Sequence, residues 1–359
     1  MAINANVYSG KEFTVYIAND DTSGKVGTFN STTGGEWKKL DIETFSFPNF
    51  NPVQEFEMRT GTGRVADLDN VYTSDEGVVR SIELNGRLDA NSLEILLSSV
   101  TGLEKGTGDS STGEIAIQYD HSPATLQTGT TAISSGDFYK TLSLYFVNPS
   151  DISGENIKMN GCVCTAFSIS ADMGTASGRF NYTATLETGF SPTKGTVAIS
   201  PVPSASSTFY FMKDWTYRHL YDANNVTLFT PLLESFGLNF ASSAKFLGRG
   251  TSPVAGDPEV IGRSLPELEI TYSMKMKYDD ESAALVDAYR QTNQDVEIYM
   301  ATASETDDTF PSGLTSLAVD INHSKLSNVS FDAGDVASLS VEGKVLSKDT
   351  DEVCVINID

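Results

Sequence analysis

The chain has 359 residues and carries 24 basic against 48 acidic side chains, a net charge of −24, with 39% hydrophobic and 10% aromatic residues. That length exceeds one ordinary domain, and the apolar content is enough to bury cores. The charge excludes a protein that grips nucleic acid through its phosphates, which takes clustered cations.

In chain order, an alternating strand at Phe13–Ile17 is followed by Ile42-Glu-Thr-Phe45-Ser-Phe47, a second strand. A Gly-containing connection, 48–78, leads to a strand over Ser81–Leu88. Leu93, Leu96, Leu97 and Val100 fall at i, i+3, i+4, i+7, which predicts a helix over 90–100 with Asp89 as its N-cap. Residues 101–139 are rich in Gly, Ser and Thr and read as a flexible surface decoration, with a hairpin around Ile115–Tyr119 and Thr125–Ser134. Leu142–Phe146 and Phe180–Leu186 alternate as strands, the second following Asp172-Met-Gly174.

The same order then recurs. Ile42–Phe47 returns as Leu233-Glu-Ser-Phe236-Gly-Leu238, and Ser81–Leu84 as Glu267–Ile270. Asp89-Ala-Asn-Ser92 returns as Asp279-Asp-Glu-Ser282, and Leu142–Phe146 as Val296–Met300. Asp172-Met-Gly174 and its strand return as Asp332-Ala-Gly334 and Leu339–Val345. Five pairs in register indicate an internal duplication. The Pro- and Ser-rich stretch 191–208 reads as a linker between the copies. In the second copy the connection after the Phe236 strand spans 239–264, and Arg290–Gln294 replaces the 101–139 insertion. Glu267–Tyr278 alternates throughout, so one face meets a core and one meets water. Leu285, Ala288 and Tyr289 form the matching helical stripe, capped by Asp279 or Asp280. The expected fold is mainly β: two domains, 1–190 and 209–359, each of antiparallel strands with one helix packed across them.

Motifs for chemistry are missing. His121, His219 and His323 lie in unrelated segments, and neither a nucleophile elbow nor a zinc-binding helix occurs. Gly61-Thr-Gly63-Arg-Val-Ala66 has no βαβ unit around it, and Asp67–Asp75 lacks the central Gly and terminal Glu of a calcium loop. The expectation is no catalytic residue, no cofactor and no metal. Cys162, Cys164 and Cys354 read as free thiols in a reducing compartment. The first two sit ~6.6 Å apart on one strand face, which is poor disulfide geometry. Met1–Asn6 has neither the basic start nor the apolar stretch of a signal peptide. No apolar run approaches the ~20 residues of a membrane span.

The duplicated unit resembles the tail-tube fold of long-tailed bacteriophages. The likeness rests on the Phe13–Ile17 strand, the strand ending at Phe47, the long loop, the Ser81–Leu88 strand, the helix and the closing strands after Asp-x-Gly. It covers about 10–190 and again about 207–357. It implies two tandem β-sandwich or barrel tube domains, each with one flanking helix, in the subtype where three chains make a pseudo-six-fold ring. It further implies stacked rings forming a virion tail tube, assembled in the host cytoplasm, through which DNA passes without specific binding. The implied partners are other copies of the chain, a tape measure protein inside the tube, and terminator and distal tail proteins at its ends, with no membrane. An acidic wall would repel DNA, and Glu83, Glu267 and Glu269 are the lead candidates for lining the lumen. Phe47, Phe50, Val53, Phe56 and Met58 in the first long loop, and Phe240, Phe246 and Leu247 in the second, are candidates for joining one ring to the next. Two alternatives stay open: a trimeric baseplate hub or tail-tip protein, and a non-viral surface β-protein that binds glycans or a partner.

Overall fold

The alternating segments pair as antiparallel strands in a computed structural model. It describes residues 12–20, 29–30, 37–47, 53–56, 71–74, 79–102, 114–118, 141–149, 154–222, 227–242, 244–246, 261–263, 268–279, 282–290, 295–302, 317–334, 336–346 and 352–357. The first repeat contains β1 (Thr14–Asn19), β2 (Lys38–Lys39), β3 (Ile42–Phe45), β4 (Val53–Phe56), β5 (Val71–Ser74), β6 (Arg80–Arg87), α1 (Ala90–Thr101), β7 (Glu114–Gln118), β8 (Leu142–Val147), β9 (Ile157–Asp172), β10 (Asn181–Thr188) and β11 (Thr193–Lys194). The second contains β12 (Tyr217–Asp222), β13 (Thr227–Phe229), β14 (Leu233–Ala241), β15 (Ala244–Phe246), β16 (Ile261–Arg263), β17 (Glu269–Lys277), α2 (Ala283–Arg290), β18 (Val296–Ala301), β19 (Ala318–Ile321), β20 (Ser324–Asp332), β21 (Ser338–Val345) and β22 (Glu352–Asn357).

The repeats share one strand order. In the first, the inner sheet runs β3-β6-β10-β9; in the second, β14-β17-β21-β20. Even the irregularities repeat. A bulge skips Glu43 between Ile42 and Thr44 where β3 pairs with β6, and another skips Glu234 between Leu233 and Ser235 where β14 pairs with β17. A second bulge falls at Thr165 on β9 and at Ser327 on β20. A bulge shifts register and bends a strand, so its recurrence at matching positions equates the two sheets residue by residue. Phe45 corresponds to Phe236 and Leu84 to Met274; Phe167 corresponds to Val329 and Ile169 to Phe331.

The two four-stranded units join. β9 pairs with β14 from Ala166↔Ala241 to Asp172↔Ser235, so one sheet runs β3-β6-β10-β9-β14-β17-β21-β20 across both repeats. One hydrophobic core likewise contains Ile82, Leu84 and Phe167 together with Phe236, Met274 and Val341. The linker separates the repeats in sequence, yet the sheet and core run across it. The linker is itself placed: Val197 and Ile199 pack against the Trp37–Tyr145 cluster, and the Val197 amide donates to the Tyr145 hydroxyl at 3.3 Å. Trp215 is buried where the halves meet, between the Phe180 and Phe236 rings, and its Nε1 donates to the Leu317 carbonyl at 2.6 Å.

Outer strands cover the core side of this sheet. In the first repeat they run β2-β1-β8-β9, with β11 on the other edge of β9; in the second they run β13-β12-β18-β19-β22-β7. β9 serves both layers by turning at Gly161, whose φ of +61° is left-handed. A Cβ there would lie 2.4 Å from the Phe190 ring. The Gly161 amide donates to Asp20 Oδ2 at 2.9 Å, and the Ser143 hydroxyl donates to Asp20 Oδ1. Burial pushes the Asp20 carboxyl above its usual range. In the second repeat the chain breaks at Asn322–His323 instead, giving separate β19 and β20.

Both helices begin in the expected place by the same device. Ser92 N donates to Asp89 Oδ1 at 2.7 Å while Asp89 N donates to Ser92 Oγ at 3.0 Å. Ser282 N donates to Asp279 Oδ1 at 2.8 Å and Asp279 N to Ser282 Oγ at 2.9 Å. Each box satisfies two backbone donors at the helix start. Asp279, one of the two candidates, is the cap. Leu285 is buried as expected, but Tyr289 is exposed and leaves the stripe.

The insertion is more than decoration. Its strand β7 pairs with the C-terminal β22 of the other repeat, from Asn357↔Glu114 to Glu352↔Gln118, with Ile115 and Ile117 buried. An apolar pair two residues apart buries one face of a strand, and here that face closes the outer layer of the second repeat. The Thr125–Ser134 arm lies outside the described residues.

Two substitutions test these local causes. Gly161→Ala forces an L side chain into a left-handed backbone against the Phe190 ring, and is expected to lower unfolding stability by more than about 1 kcal/mol, read by urea denaturation. Asp279→Ala removes a cap and should cost about 1 kcal/mol, with Asp279→Ser recovering most of it.

Candidate functional site

The most distinctive surface is the face of the inner sheet that points away from the core. Strand alternation builds it: Ile82, Leu84, Ala184, Leu186, Ile270, Tyr272, Met274 and Met276 point inward, leaving their neighbours outward. One row of cross-strand partners runs the whole width: Thr44, Asn85, Thr183, Ser168, Asn239, Thr271, Lys344, Lys325. The next runs Arg87, Asn181, Ser170, Gly237, Ser273, Glu342, Asn328. These rows are dominated by short, uncharged polar side chains.

Glu83 and Glu269 lie on this face and are exposed, Glu83 in the middle of β6 and Glu269 at the start of β17; the position matching Glu83 in the second sheet is Ser273. Glu267 lies outside the described residues. The described strands carry charges of both signs on this face, with acids outnumbering bases. Glu83, Asp172, Glu187, Glu269, Asp332 and Glu342 share the face with Arg87, Lys275, Lys277, Lys325 and Lys344. Glu269 accepts from Lys344 Nζ at 2.7 Å, Lys275 lies 3.6 Å from Glu234, and Arg87 Nε lies 3.3 Å from Glu43. Exposed pairs of this kind add little stability, but they level the local charge.

The sheet has two open edges, each with one strand neighbour among the described residues: β3 beside β6, and β20 beside β21. Apolar side chains crowd both. Phe47 is 40% exposed and packs against Phe13, Phe45 and Phe146 at 5.2, 4.9 and 5.7 Å between ring centroids. Phe331 is 56% exposed and meets Tyr278 edge-on at 4.9 Å. Sequence reading missed the β20 edge, because Phe331 sits in an ordinary strand pattern and its exposure depends on which strand lies beside it.

The long loops contain hairpins. β4 pairs with β5 inside 48–78, and β15 pairs with β16 inside 239–264, each leaving just after the matching strand β3 or β14. Val53, Phe56 and Phe246 lie on these strands; Phe50, Met58 and Leu247 lie outside the described residues. Phe240 corrects the expectation. β14 runs on to Ala241, and Phe240 is a core residue, 1% exposed and stacked on Phe167 at 6.3 Å. Alternation continues past the predicted strand end, so Phe240 falls on the same face as Phe236 and Leu238.

No chemistry assembles elsewhere among the described residues. They contain no group of three or more His, Cys, Asp or Glu placed to hold a metal ion, and none of their helices is long and apolar enough to cross a membrane. His219 stands between Tyr217 and Tyr221 on β12, its pKa lowered by partial burial; His323 is buried. His121 and the Gly61–Ala66 stretch lie outside the described residues. The three cysteines are free and buried, and desolvation pushes the Cys162 and Cys354 thiols upward. A thiol reacts as its thiolate, so the folded chain is expected to take up no iodoacetamide at pH 8 and the urea-unfolded chain three equivalents, counted by mass spectrometry.

No protein-family model matches the sequence, and no curated protein matches it.

Proposed function

We propose that this chain is a structural subunit whose copies join head to tail into closed rings, and that the rings stack into a hollow tail tube of the long-tailed bacteriophage kind. One observation carries the reading: the same four-stranded sheet occurs twice, already joined edge to edge within the chain, with one edge of each kind left open. A head-to-tail contact that repeats by rotation closes into a ring. Two units per chain make three chains a pseudo-six-fold ring. Closure also removes both exposed sheet edges, which otherwise invite uncontrolled pairing.

The polar face supports a conduit role. On closure of the sheet, the Ser-, Thr- and Asn-rich rows become the inner wall, where Arg87, Lys275 and Lys344 each sit beside a carboxylate. Such a wall lacks the clustered cations that would hold DNA phosphates, so DNA passes without specific binding, and a tape measure protein could occupy the same channel before it. The two hairpins leave the sheet at matching places and, in a ring, project at six positions toward the next ring. Chemistry is not part of this reading, and neither is a cofactor.

Negative-stain microscopy of concentrated protein tests it, with light scattering for mass. Hollow rings of three chains, or tubes built of them, are expected; shortening 48–78 to a tight turn should leave folded subunits that no longer form tubes. A monomer at all concentrations, or rings of six chains, overturns the proposal.

A further inference from the structure

The joint between β9 and β14 has a counterpart that a single chain cannot make with itself. We infer that β20 of one chain adds to β3 of a second copy in the register that β9 uses on β14, so that Phe331 of one copy lies opposite Phe47 of the other and Asp332 lies opposite Ser46. This deepens the ring reading above and rests on it.

The repeated bulges set the register. Matching the Glu43 bulge to the Glu234 bulge places Phe45 on Phe236, hence Ser46 on Gly237 and Phe47 on Leu238. Matching the Thr165 bulge to the Ser327 bulge places Ile169 on Phe331 and Ser170 on Asp332. Within the chain, Leu238 pairs with Ile169 and Gly237 with Ser170. The same pairs, written for the free edges, are Phe47 with Phe331 and Ser46 with Asp332.

Exposure points the same way. Leu238 and Ile169 are each 0% exposed at the internal joint, whereas their counterparts Phe47 and Phe331 are 40% and 56% exposed. These two core-face side chains are thus buried where the neighbouring unit is present and in water where it is missing. They are also already held: Phe331 by the Tyr278 ring, and Phe47 by Phe13, Phe45 and Phe146. Rings fixed before contact lose little rotamer freedom on burial. The occupant is a second copy of this chain because each edge matches one side of a joint that the chain already makes. The contact uses two different edges, so it propagates in one direction.

Cysteine pairing tests the register. Directly opposed residues of antiparallel strands have Cα atoms about 4.5–5.5 Å apart, within disulfide reach. Phe47→Cys and Phe331→Cys chains are oxidised mildly, alone and mixed, beside the unsubstituted chain with its buried thiols, and Ser46→Cys with Asp332→Cys forms a second pair. Disulfide-linked dimers are expected in each mixture and in no chain alone. Dimers from Phe331→Cys alone would mean two like edges meet, which overturns the proposal. No dimers from either mixture, while light scattering finds that the unsubstituted chain assembles, overturns this register and leaves the ring reading standing. An unsubstituted chain that never assembles overturns both. Phe331→Glu should fold normally by circular dichroism and lose assembly; assembly retained at the parent concentration also counts against the joint.

Discussion

Seven consecutive cross-strand pairs between β9 and β14 hold this molecule together. Without them the inner layer would be two separate four-stranded sheets; with them it is one sheet with a common core. The ladder buries Ile169, Phe167, Leu238 and Phe240 side by side, and each of those side chains contributes ~1.5–3 kcal/mol relative to exposure. The joint also depends on Gly161. Only because β9 turns there can its first half pair with β8 in the outer layer and its second half pair with β10 and β14 in the inner one. The Asp20 carboxylate, accepting from the Gly161 amide, anchors that turn from the β1 side.

The internal joint and the free edges are not equally furnished. α1 packs over β9 and reaches β14, and the Ser99 hydroxyl accepts from the Cys164 amide at 3.2 Å. The shorter α2 packs over β20 and carries Tyr289, whose hydroxyl donates to the Ser327 carbonyl at 3.5 Å. The first repeat also carries the inserted strand β7, which binds the outer layer of the second repeat. The chain is thus a fastened pair of units, with an extra clasp at its own joint. A duplicated gene product can specialise in this way because the two joints occupy different positions in one chain and mutate independently.

The net charge and the polar sheet face are separate matters. An acidity of −24 keeps copies soluble and disfavours contact with phosphate polymers over distances up to a Debye length, ~8 Å at physiological salt. The inner-sheet face adds a local feature: rows of Ser, Thr and Asn crossed by charges of both signs. Some of its charged members sit beside partners, Lys344 by Glu269 and Lys275 by Glu234.

Much of this was legible in the residues themselves. Period-two alternation marked β6, β10, β17 and β21, because a half-buried strand must alternate. Asp89-x-x-Ser92 and Asp279-x-x-Ser282 marked the helix starts, because a cap needs an oxygen three residues ahead of a free amide. The duplication followed from the order of these local signals. What lay beyond them was every decision that pairs distant segments. That β9 adds to β14, that β7 reaches β22 and that β14 extends to bury Phe240 depend on which strand edge lies beside which. Backbone edges carry no residue code, since any strand can hydrogen-bond any other. The same reason hid the exposure of Phe331: its sequence pattern is that of a buried strand residue, and only the tertiary arrangement determined that no described strand lies on the far side of β20.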